Sequence, residues 1–75
     1  MRRYFFDVVG RERAEYDYRG RDFPAPDSAF RLAELMALDL AMEADDEWAG
    51  WSIKVRNADG GELFQVPVQS WQAAV

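Results

Sequence analysis

The chain has 75 residues, 49% of them hydrophobic, with nine basic and fourteen acidic side chains and neither histidine nor cysteine. A chain this short buries only about 60% of its unfolded surface, and small domains usually add a disulfide, a metal or a partner chain. The composition excludes the first, leaves only carboxylates for a hard cation, and makes a partner chain the natural expectation.

Arg3 to Val9, RYFFDVV, is rich in aromatic and β-branched residues and predicts a first strand. Alternation puts Tyr4, Phe6 and Val8 on the expected core face, with Phe5, Asp7 and Val9 opposite because that set carries a charge. Gly10 to Arg13 is a polar turn, and Ala14 to Tyr18 predicts a second strand with Ala14, Tyr16 and Tyr18 inward. Gly20 punctuates the exit, and Phe23 to Pro26 is a stiff approach in which each proline fixes its own φ.

Asp27 is the expected N-cap of the chain's one helix, which runs from Ser28 to about Ala44 and spans about 25 Å. Asp45, Asp46 and Glu47 suit the negative end of a helix dipole poorly and read as a loop, with Gly50 as a further stop. Trp51 to Arg56 alternates as a half-buried strand, with Trp51, Ile53 and Val55 inward. Asn57 to Gly60 makes a turn of the kind found in hairpins with a bulge. Leu63 to Val68 is the last strand, with Phe64, Val66 and Val68 inward, and Pro67 assigns it to a sheet edge. Residues 69–75 give no clear signal.

The expected fold is therefore α+β, a single ββαββ domain over residues 1–75 with one helix on one face of a four-stranded antiparallel sheet. A right-handed crossover puts the third strand beside the first, and the preferred order is 2-1-3-4.

The runs R-Y-F-F-D at Arg3 to Asp7, D-x-x-G-x-x-F-P at Asp17 to Pro24 and V-R-N-A-D-G-x-x-L at Val55 to Leu63 occur in this order. In content and order the chain resembles a family of short bacterial proteins classed as a domain of unknown function, which implies no activity and no functional residues. It is more loosely similar to antitoxins of the HicB type, which pair a short curved sheet with one helix. It lacks their additional strand and an appended DNA-binding segment.

Enzyme chemistry is poorly supplied. Without histidine or cysteine there is no base for Ser28, Ser52 or Ser70, so no catalytic residue and no cofactor are assigned. Asp45-Asp46-Glu47 is the densest carboxylate cluster, but calcium loops need spaced ligands and a glycine turn, so it reads as a solvated loop and no metal site is assigned.

The net charge of −5 argues against a general nucleic-acid binder. Seven of the fourteen acidic residues lie between Asp27 and Glu47 against Arg31 alone, so the helix side is acidic and the rest nearly neutral. The open sheet face still offers Arg3, Phe5, Lys54 and Arg56, an aromatic among cations that defines an alternative, nucleic-acid-binding reading.

The helix carries the more informative anomaly. Ala29, Phe30, Ala33, Met36, Ala37, Leu40, Ala41 and Ala44 fill one broad arc, enough to cover a small sheet. Leu35, Leu38 and Met42 fall on the opposite side, where a lone helix should be polar. Either the tail folds over them through Trp71, or they meet a second subunit. The expectation is a non-catalytic homodimer with a possible further protein partner. The lack of cysteine and of any long apolar run fits a cytoplasmic, non-membrane protein, and Asp7 interrupts the amino-terminal apolar run too early for a signal peptide.

Overall fold

The computed structural model describes residues 1–43 and 48–68. The chain order is β1 (Arg2–Val9), β2 (Ala14–Glu15), β3 (Arg21–Phe23), α1 (Pro26–Ala41), β4 (Ser52–Asn57) and β5 (Glu62–Pro67). All strand pairs are antiparallel, in the order β2-β1-β4-β5, with β3 also on β1. The four expected strands are thus five. The expected neighbours are kept, but the second strand, expected over Ala14–Tyr18, keeps only Ala14–Glu15, and an unexpected short piece, Arg21–Phe23, follows it on the same edge of β1, so that edge is split.

The cause of the split lies in Asp17. Val8 pairs with Glu15 and Tyr4 with Arg21, so on this edge, away from β4, β1 has no ladder partner opposite Phe6. The Asp17 carboxylate fills that gap, accepting from the Phe6 N–H at 3.1 Å and from the Arg19 and Gly20 N–H groups at 3.0 Å each. A short polar side chain that bonds nearby backbone competes with strand pairing, and here it wins. The chain turns out of the sheet, so Tyr16 and Tyr18 are exposed rather than inward. Gly20 brings it back with φ of +72°, where a Cβ would also come within 2.9 Å of the Tyr4 carbonyl and the Phe5 ring.

The helix starts two residues earlier than expected, at Pro26 rather than Ser28. Pro26 occupies its first turn, Ala25 is the N-cap with no side-chain cap, and Asp27 lies inside the first turn. There the carboxylate still meets the positive end of the dipole, while the proline supplies the preset φ and lacks only an N–H that would be unpaired anyway. The helix ends at Ala41 with Met42 as C-cap. Ala44 and the Asp45-Asp46-Glu47 cluster lie outside the described residues.

The core sits between α1 and one sheet face. Ala29, Ala33 and Ala37 are buried on the helix, against Tyr4, Phe6, Ile53, Val55 and Val68. Ile53 and Val55 are fully enclosed, and burial of each contributes about 1.5–3 kcal/mol. Phe23 packs against the Tyr4 and Phe6 rings at 6.2 and 6.0 Å, and Phe30 against Phe64 at 4.9 Å. Phe64 and Val66 face inward as the alternation requires, and β5, with Pro67, is at the edge.

The β4–β5 hairpin carries the expected irregularity, a register shift at Val55/Arg56. Its turn is closed by the Asn57 carbonyl oxygen of the side chain, which accepts from the Asp59 and Gly61 N–H groups at 3.0 and 2.8 Å, and by Gly60 at φ of +89°.

Candidate functional site

Two surfaces carry the residues singled out above, and the fold treats them differently. On the outer side of α1, Leu35, Leu38 and Met42 keep 58%, 42% and 65% of their surface exposed. They stand on one face because four- and three-residue steps return a helix to the same side. Arg31, Glu34 and Asp39 are exposed beside them. The idea that Trp71 covers this stripe concerns a residue outside the described ones.

The second surface is the sheet face turned away from α1. The register sets Phe5 opposite Arg56 and Asp7 opposite Lys54, and Arg3 precedes Phe5 on the same side. The four residues of the nucleic-acid reading are therefore brought together, but the three cations among them are engaged. Arg3 pairs with Asp22 at 3.1 Å and also donates to the Arg19 carbonyl. Lys54 lies 3.4 Å from the Glu62 carboxylate. Arg56 donates to both Asp7 oxygens, at 2.5 and 3.2 Å, and to the Asp17 carbonyl at 3.0 Å, with its guanidinium 4.8 Å from the centre of the Phe5 ring. A phosphate would have to displace carboxylates to reach them.

Asp7 is the residue that sequence reasoning misplaced. Its charge assigned it to a solvated face, yet it is only 3% exposed. A buried carboxylate needs a cation and hydrogen bonds, and Arg56 and the Asp17 N–H (2.9 Å) supply them. Asp17 stands out in the sequence only as the first residue of the D-x-x-G-x-x-F-P run, with no structural role assigned. The available signal was an aspartate in the middle of an otherwise apolar strand, which demands partners. Nothing in the spacing alone says that they come from positions 17 and 56.

The electrostatics follow these contacts. Burial pushes the Asp17 carboxyl up, but the N–H groups of Gly20, Phe6 and Arg19, with Arg56 nearby, outweigh it and hold the group below its ordinary value. The Arg3 hydrogen bond likewise lowers exposed Asp22, and the Asp22 hydrogen bond raises Arg3. The hydrogen bond to Asp7 raises Arg56 despite partial burial. An Asp17 carboxylate kept ionised and saturated with backbone donors is built to hold a loop rather than to exchange protons at neutral pH.

A groove of about 520 Å³ opens at the split edge of the sheet, floored by Phe6, Val8, Leu32 and Met36 and rimmed by Arg19 and Arg21. Among the described residues no three acidic side chains are gathered at a spacing that would hold a metal ion. None of the described helices is long and apolar enough to cross a membrane.

The residues that carried the family resemblance turn out to be those that build this architecture. Arg3, Asp7, Asp17, Gly20 and Arg56 lock the β2–β3 loop, Phe23 fills the core edge, and Asn57 and Gly60 close the second hairpin. No curated protein and no solved structure matches the chain. Residues 3–69 match the family described as a domain of unknown function, DUF6894, and the chain belongs to that family.

Proposed function

We propose that this protein is a small, non-catalytic interaction module of the cytoplasm that self-associates through the outer face of α1. One observation carries the reading: Leu35, Leu38 and Met42 remain exposed together on the side of the helix turned away from the core of the described residues. A domain whose core rests on one helix and one sheet gains stability when such a face is covered, and an apolar stripe with charged flanks has the composition of an interface. A second copy is the simplest occupant, since the same stripe is then matched by itself across a two-fold axis. The cysteine-free composition supports a reducing compartment.

Light scattering at tens of micromolar should give about twice the chain mass. Leu38→Glu should give the monomer mass with an unchanged circular dichroism spectrum, because Leu38 lies outside the buried core. A monomeric unsubstituted chain would sink the proposal.

A further inference from the structure

The charges along α1 decide how two copies would meet, an inference that rests on the self-association just proposed. Arg31, Leu35, Leu38 and Met42 are spaced by four, three and four residues, the rhythm of a two-helix seam. Met42 continues the helical backbone as C-cap, so the seam keeps its direction to the end. With Leu35 and Leu38 as successive seam positions, exposed Glu34 and Asp39 flank them on either side.

Parallel copies would place Glu34 of each beside Asp39 of the other, the flanking contact that lies five residues on. Two acid–acid contacts would result, the acidic carboxyl-terminal ends would coincide, and the helix dipoles would align. Antiparallel copies avoid all three. Leu35 then meets Leu38 of the second copy twice at the centre, Glu34 lies beside Ala41, and Asp39 lies beside Leu32. At each end Arg31 crosses Met42 of the second copy, where Asp39, one turn back on the helix, and Glu43, the next residue, are both exposed acids. The single basic residue of the helix is thus delivered to acidic ground at both ends.

We infer that the partner of this surface is a second copy of the chain docked with its helix antiparallel, centred between Leu35 and Leu38 and closed at each end by Arg31 against Asp39.

The chain has no cysteine, so single-cysteine variants report the geometry cleanly. Arg31→Cys and Met42→Cys, both at exposed positions, are oxidised separately and after mixing and subunit exchange, then separated on a non-reducing gel. In the antiparallel pair the two copies of either position are offset by eleven residues, about 16 Å along the axis, beyond the roughly 7 Å a disulfide can bridge. The mixture should therefore cross-link into dimer while each variant alone gives only a trace. Efficient cross-linking of each variant alone would overturn the antiparallel arrangement and leave self-association standing. Dimer mass by light scattering with no cross-link in any sample would move the contact off the helix and overturn both readings. A monomer mass for the unsubstituted chain would likewise end both.

Discussion

Asp17 and Arg56 show how few side chains hold the irregular half of this domain. Replacing Asp17 by Asn removes one of two oxygens that serve three backbone donors, and an unsatisfied part-buried N–H costs about 1–3 kcal/mol. The Asp17 group titrates below its unfolded value when folded. Its contribution is therefore complete above the unfolded pKa of about 4 and fades as pH falls through the lower folded value. Urea titrations should show the gap between the unsubstituted chain and Asp17→Asn at pH 7 shrinking steadily below pH 4. A gap independent of pH would contradict this role.

Arg56 and Arg3 looked alike in the sequence, two cations on one sheet face, but burial separates them. Arg56→Ala leaves Asp7 enclosed without its cation and should cost about 3 kcal/mol. Arg3→Ala breaks a solvent-exposed, salt-screened pair and should cost clearly less than Arg56→Ala. Chemical denaturation of both variants measures the difference. Equal costs would mean that the Asp7 pair is not the anchor described here.

At the scale of elements, α1 approaches the sheet through Ala29, Ala33 and Ala37. Small residues at four-residue spacing let the helix backbone lie close, so that Ile53 and Val55 are covered from above. Ala33→Leu adds three carbons where none of its surface is exposed, and overpacking of this kind costs about 1–3 kcal/mol. The same exchange lowers helix propensity only slightly, so thermal melting reads mainly the packing cost. The second strand tells the opposite story. Its alternating AEYDY pattern is correct strand grammar, yet Asp17 diverts the chain because its carboxylate finds Phe6 eleven residues back in the sequence. Local alternation cannot register a competitor that only the β1 hairpin brings within reach.

For the molecule as a whole, the proposed self-association through the exposed helix stripe would tie stability to concentration. A dimer that buries it must melt at a temperature that rises with protein concentration, whereas a monomer does not. A tenfold concentration series followed by circular dichroism should shift the midpoint upward for the unsubstituted chain and leave Leu38→Glu unmoved. A flat series for both would count against association.

Several features were decided by the residues in order. The one helix, its two apolar sides, the inward sets Tyr4, Phe6, Ile53, Val55, Phe64 and Val66, and the edge position of the Pro67 strand all follow from periodicity and proline chemistry. These are short-range properties, set by repeats of 2 and 3.6 residues and by single-residue backbone limits. The split of the second strand, the burial of Asp7 and the commitment of Arg56 were decided only by the tertiary structure. Each depends on groups 10 to 49 residues apart meeting across the sheet, where desolvation rather than periodicity determines which polar atoms must pair.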